Sequence, residues 1–306
     1  MVPRYTAFLP KNIKHCILNN FFLSSAFLPD GSPLFESLNL CKEYNINSVE
    51  IGSNHCFEDN YLYLGNYHFD FLVHNYFPIP KDSFVLNIAS FNKKIRTKSI
   101  NHIKSAIDFC ENIGAKLYTF HPGFLTDPLG SNLSKANYDF QWDENQLAKA
   151  NYTNTKSLMY NALDDIINYA TSKPVRIAIE TEGSVYKKDY LLMQRPEEYK
   201  EFLDKYSPMD IEINLNIGHL NLAANTFNFK KKDFVNLIQD YIVAMELSHN
   251  DGIEDQHLPL QSNEWYWPLI CDPRFNHVYK ILEFRNTGIV EIVENIKLFQ
   301  KETYAI

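Results

Sequence analysis

Glycine and cysteine are scarce here: 10 Gly and 5 Cys in 306 residues. No Gly-x-Gly-x-x-Gly run occurs, which removes the main signal of a dinucleotide-binding turn. The cysteines (Cys16, Cys41, Cys56, Cys110, Cys271) are odd in number and lack Cys-x-x-Cys spacing. That pattern argues against a disulfide framework and fits reduced, mostly buried thiols in a cytoplasmic protein. A basic-then-apolar leader is also missing, and the apolar stretch Phe21–Leu28 is too short and too broken by Ser to span a bilayer, so no membrane partner is expected. Basic stripes are absent too, and the net charge is −8. The nearest candidate, Lys230-Lys231-Lys232, falls where a helix should begin and reads as a solvated face. An acidic chain repels phosphate backbones at long range, which argues against a nucleic-acid partner.

What remains is an ordinary globular balance, 45% hydrophobic and 22% charged. The 22 Phe and 19 Tyr read as core filling. One domain over residues 1–306 is expected, because a chain of this length can bury roughly three-quarters of its unfolded surface. Short apolar runs alternate with helical patterns. The strand candidates are Cys16–Leu18, Ser48–Ile51, Phe71–His74, Leu117–His121, Arg176–Glu180, Glu212–Asn216, Ala244–Ser248 and Tyr279–Glu283. The helix candidates are Ile95–Asn112, Leu158–Ala170, Glu197–Tyr206, Asp233–Tyr241 and Ile289–Gln300. In Ile95–Asn112 the residues Ile103, Ala106, Ile107 and Cys110 share one face with Ile113, and Gly114 follows as a C-cap. Strands alternating with helices predict a parallel α/β architecture, either a closed barrel or an open doubly wound sheet. The long polar and aromatic segment 122–150 reads as a lid or a substrate wall.

The chemistry-bearing residues sit where strands end. His74 closes Val-His-Asn-Tyr and His121 opens His-Pro-Gly. Glu180 closes Ile-Ala-Ile-Glu, and Asn216 and His219 lie in Leu-Asn-Ile-Gly-His. Glu246, Ser248, His249 and Asp251 cluster at the seventh strand, Asp255 and His257 lie just beyond it, and Glu283 ends the eighth. Side chains at the C-terminal strand ends of a barrel converge on one pocket. Imidazoles and carboxylates gathered there without Arg or Lys would suffer like-charge cost if dry and empty, and a divalent cation removes that cost. Mixed nitrogen and oxygen donors point to zinc or manganese. Any one such histidine is more often a hydrogen-bonded structural residue, so the inference rests on their number and shared placement. His15, His55, His68, His102 and His277 lack that placement and read as structural.

These motifs resemble the xylose isomerase-like superfamily of (β/α)₈ TIM barrels, which joins sugar isomerases and epimerases to the endonuclease IV type of apurinic-site nuclease. The resemblance runs over nearly the whole chain. His-Asn-Tyr-Phe with the later Leu-Asn-Ile-Ala-Ser, Phe-His-Pro-Gly at 120–123, Glu180 before Thr-Glu-Gly, and Asn-Asp-Gly followed by Asp-Gln-His-Leu-Pro-Leu carry it. It implies one to three divalent ions per chain. His74, His121 and Glu180 would hold one, and His219, Asp255 and His257 another. Glu180, position 216, position 246 and Glu283 would form the site shared with the isomerases. There the resemblance implies Asp and His, and this chain has Asn216 and Glu246; His249 is the alternative imidazole.

The first functional expectation is a cytoplasmic sugar or sugar-phosphate isomerase or epimerase of carbohydrate metabolism. Glu180 and Glu283 would be its base and acid, with Arg285 and Tyr76 at the substrate. The second is an endonuclease IV-like zinc phosphodiesterase or related hydrolase, favoured by the histidine count. The third is a barrel that binds metal or metabolite without turnover. The sequence leaves oligomeric state open.

Overall fold

The computed structural model describes residues 20–128, 145, 151–183 and 190–304. Eight parallel strands close into one barrel: β1 (Phe21–Ser24), β2 (Ser48–Ile51), β3 (Asp70–His74), β4 (Leu117–Phe120), β5 (Arg176–Glu180), β6 (Glu212–Asn216), β7 (Ile242–Leu247) and β8 (Tyr279–Leu282). Each pairs with its neighbour in sequence order, and β8 closes on β1 through Phe22 opposite Ile281. The open-sheet alternative is thereby excluded.

The expected strands agree with those observed to within two residues at their ends, with one exception. The first candidate, Cys16–Leu18, lies outside the described residues. Among the described residues the first strand is Phe21–Ser24, the start of the apolar stretch Phe21–Leu28.

The helices are α1 (Leu34–Glu43), α2 (Lys93–Ile113), α3 (Tyr152–Ala170), α4 (Pro196–Lys205), α5 (Ile217–Phe227), α6 (Lys231–Ile238), α7 (Trp267–Ile270) and α8 (Ile289–Tyr304). The Asn92 side chain caps α2 by accepting from Lys94 N–H, and Gly114 ends the helix at φ 72°. Its buried face carries Ile103, Ala106, Ile107 and Cys110, with Ile113 only half-buried. Burying Ile103 and Ile107 contributes roughly 1.5–3 kcal/mol each. The four described cysteines are free; Cys41 and Cys110 are buried, whereas Cys56 and Cys271 are half-buried. Among the described residues no helix is long and apolar enough to cross a membrane.

The strand period of two sorts the barrel interior into layers. Phe22, Leu72, Leu117, Ala178, Ala244 and Ile281 form an apolar floor. Two residues further along the strands, Ser24, His74, Thr119, Glu180, Glu246 and Glu283 are buried polar groups. The same alternation gives Glu50 on β2 and both Asn214 and Asn216 on β6. The strands outside the interior bury Val49, Ile51, Val73, Ile179 and Leu215 against the surrounding layer. The barrel thus places a polar cup above an apolar plug.

Candidate metal centre

Two groups of side chains meet at the mouth with their ligand atoms within 4.8 Å of one another: His74, His121 and Glu180, and then His219, Asp255 and His257. A third group joins Glu50 and Glu246 to His74. In the first group, Glu180 Oε2 stands 3.5 Å from both His74 Nε2 and His121 Nε2. That separation is long for a hydrogen bond. It is close to the edge of a tetrahedron whose centre lies about 2.0–2.1 Å from each donor, the usual zinc–ligand length. The buried Glu180 Oε2 has no hydrogen-bond partner. In the second group, His219 Nε2 and His257 Nε2 lie 3.4 and 3.0 Å from Asp255 Oδ2, while Asp255 Oδ1 is buried without a hydrogen bond. In the first group the orphaned oxygen itself faces the imidazole nitrogens, and in the second the carboxylate that faces them keeps a free oxygen; both donor sets fit a divalent cation.

The imidazoles are oriented from behind. His74 Nδ1 meets Thr119 Oγ1, His121 Nδ1 meets Glu182 Oε1, and His219 Nδ1 meets the Thr181 carbonyl, each at 2.8 Å. A carbonyl can only accept, so His219 Nδ1 carries hydrogen; the same assignment suits the other two and turns each Nε2 toward its carboxylate.

The charges are strongly coupled. Burial alone would raise the Glu180 carboxyl, yet His121, His219 and His74 hold it well below the usual range. Burial disfavours the His121 and His257 cations, but the carboxylates beside them win. Glu180 and Glu182 lift His121 to about 9, and Asp255 and Glu283 lift His257 to about 9. His74 is different: burial lowers it to about 4. Glu283 is held at about 2 by His257 and Arg285 against the penalty of burial. Glu246 and Glu50 are pushed well above the carboxylate range, first by burial and then by the surrounding acids.

The centre between these groups is built differently from its surroundings. Asn216 Nδ2 donates to Glu180 Oε1 and Glu246 Oε2 at 2.9 Å each and lies 3.5 Å from Glu283 Oε2. Asn214 Nδ2 donates to Glu246 Oε1 at 2.7 Å. Glu180 Oε1 and both oxygens of Glu246 are therefore met by amides and Glu283 Oε1 by Arg285, and the residue set that the family resemblance assigns to a shared ion does not fit a cation as it stands.

Of the residues expected from sequence, the structure brings together His74, His121, Glu180, Asn216, His219, Glu246, Asp255, His257 and Glu283. Arg285, expected at the substrate, joins them and bonds Glu283 Oε1 at 2.8 Å, so the acids have a guanidinium beside them. Tyr76 sits elsewhere: its ring packs on Phe84 and His102, and its hydroxyl accepts from Phe84 N–H. His249 forms a backbone bridge with Leu258 and lies against Tyr266, so Glu246 is the seventh-strand member of the cluster. His55 bonds Ser25 and the Ser32 carbonyl, in keeping with a structural role, while His68 and His277 are exposed. His15 lies outside the described residues, as does most of segment 122–150. Sequence reasoning missed Glu50, Glu182 and Asn214. The available signal was strand alternation: Glu50 sits between Val49 and Ile51, and Asn214 and Glu182 are each two residues from a chosen ligand.

Comparison with known proteins agrees with this architecture. An uncharacterized protein of Methanocaldococcus jannaschii is 24% identical over 282 residues, covering 90% of this chain and 96% of the relative. The solved structure of a D-tagatose 3-epimerase-like protein superposes with a TM-score of 0.70 at 20% identity, over 94% of this chain and 97% of that one. Endonuclease IV from Thermus thermophilus superposes at 0.56 with 10% identity, over 94% and 100%. At these identities the structural likenesses carry the fold alone. The sequence profile described as xylose isomerase-like TIM barrel matches residues 39–295, and the chain belongs to that family.

Proposed function

We propose that the protein is a divalent-metal-dependent hydrolase acting on a small phosphate ester, with a sugar phosphate as the substrate class. The observation that carries this reading is the pair of imidazole–carboxylate groups flanking Glu180. His74, His121 and Glu180 would hold one ion, and His219, Asp255 and His257 the other. Ions so placed supply Lewis-acid stabilisation of a phosphoryl oxygen and lower the pKa of water. The chain's own residues do the rest. Glu182, Thr119 and the Thr181 carbonyl fix the imidazole rings. Arg285, largely buried and paired with Glu283, offers a guanidinium to an anionic substrate group. The net charge of −8 disfavours a polyanionic nucleic acid and leaves a small ester.

A second reading, the sugar isomerase or epimerase, draws on one further observation. The Glu180 carboxyl is held well below the usual range and that of Glu246 is pushed well above it, and Asn216 bridges them at 2.9 Å on each side. Neighbouring carboxyl groups with divergent pKa values suit proton transfer beside a carbonyl. The two readings separate in one experiment. Protein reloaded with zinc or manganese is incubated with a panel of phosphate esters, and in parallel with ketoses and ketose phosphates in deuterium oxide. Ester cleavage without deuterium incorporation is expected. Carbon-bound deuterium without cleavage would replace the hydrolase with the isomerase. Neither product would leave a binding barrel.

A further inference from the structure

We infer that the Asn216 side-chain amide stands in for a metal ion at the centre of this cup, so that the shared site of the family is closed to cations in this chain. The inference rests on the metal reading above only for the flanking sites; the centre is argued from its own hydrogen bonds. Asn216 is the N-cap of α5, and its Oδ1 accepts from His219 N–H at 3.1 Å. That bond fixes which way the amide faces. Nδ2 must then point at Glu180, Glu246 and Glu283, all acceptors. Turning the amide over would set Nδ2 against the His219 N–H, donor to donor, and Oδ1 against three carboxylates. Both ends therefore oppose the flip.

An aspartate at 216 would behave differently. One of its oxygens would still cap the helix. The other would replace the Nδ2 donor with an acceptor facing Glu180 Oε1, Glu246 Oε2 and Glu283 Oε2, and a cation or an added proton would be needed to hold those four oxygens together. With its oxygen on the cap, the amide turns toward the centre a nitrogen that cannot ligate a cation, whereas a carboxylate would offer one oxygen to each. The Asn thus settles the centre as a hydrogen-bonded network. Asn214, donating to the other oxygen of Glu246, completes it without an ion.

The test is the ion count of wild type and Asn216→Asp, each loaded with zinc alone, desalted and analysed by elemental analysis. The expected result is one more ion per chain in the variant. Equal counts in two folded proteins would overturn the inference. Zero ions in wild type with one in Asn216→Asp would uphold it while removing the flanking sites and the function proposed from them. Should the variant fail to fold, anomalous diffraction from zinc-soaked wild-type crystals decides. The inference predicts no anomalous peak among Glu180, Glu246 and Glu283, and a peak there would end it.

Discussion

Glu182→Gln isolates what a residue behind a ligand contributes. Glu182 is 2% exposed and its Oε1 accepts from His121 Nδ1 at 2.8 Å. A hydrogen bond to a charged group is worth about 1.5–3 kcal/mol and a neutral one about 0.5–1.5, so the exchange should cost roughly 1–2 kcal/mol of His121 donor strength and orientation. At 1.4 kcal/mol per decade this is roughly a 10-fold loss of metal affinity, the low end of the range for such partners. An opposing effect must be removed. Glu182 also helps to hold the competing proton on His121, whose pKa is raised to about 9, so near neutrality the substitution would ease proton displacement. Competition of zinc against a chelator near pH 9 suppresses that contribution. The expected result there is about 10-fold weaker binding at one site, with the other unchanged. Unaltered affinity, or equal loss at both sites, would refute the assignment of His121 to the first group and of Glu182 as its positioning residue.

Metal-free protein should lose stability as pH rises from 6.5 through about 9. His121 and His257 have folded-state pKa values raised to about 9, so their contribution is full below 6.5 and lost as pH rises through about 9. His74, lowered to about 4, costs stability as pH falls from 6.5 toward 4. Thermal melts across pH check this, and a flat profile would contradict it. Glu180→Gln should lose the ion of the first group and the activity while keeping its far-ultraviolet spectrum; full metal content by elemental analysis would remove Glu180 from the centre. Gly123→Ala should destabilise by roughly 1–3 kcal/mol in urea unfolding. Gly123 has φ 113°, and a Cβ there would lie 2.6 Å from Asn87 Oδ1, which itself accepts from the Ala89 and Phe124 amides. Unchanged stability would show that this loop yields easily.

The barrel strands were legible because parallel strands buried on both faces read as short apolar runs, and the ligands because they close those runs. The elements that escaped share a different cause. Helix α5 is buried at every residue from Ile217 to Ala224, so it has no polar face to give a 3.6-residue period, and its first turn carries a glycine. Helix α7 has only four residues, too few for any period. In α1 only Leu34, Ser37, Leu38 and Cys41 are buried, and half of these are not strongly apolar. Strand β1 was not anticipated at Phe21–Ser24 because it runs straight into the rest of the apolar stretch Phe21–Leu28, and the pairing with β2 and β8 that defines it is tertiary. At the site, residue identity announced that position 216 had changed. The direction of its amide could not be read from the sequence, since it depends on a helix cap and on carboxylates more than 29 residues away.

The apolar floor has a consequence for traffic. Phe22, Leu72, Leu117, Ala178, Ala244 and Ile281 stopper the cylinder from below. Glu50, fully buried beside His74 and Glu246, lies in the polar tier above that stopper. A proton or water molecule bound for Glu50 must come down from the mouth, past the row of imidazoles. Occupants of the upper tier would therefore govern how quickly the deepest acid equilibrates with solvent.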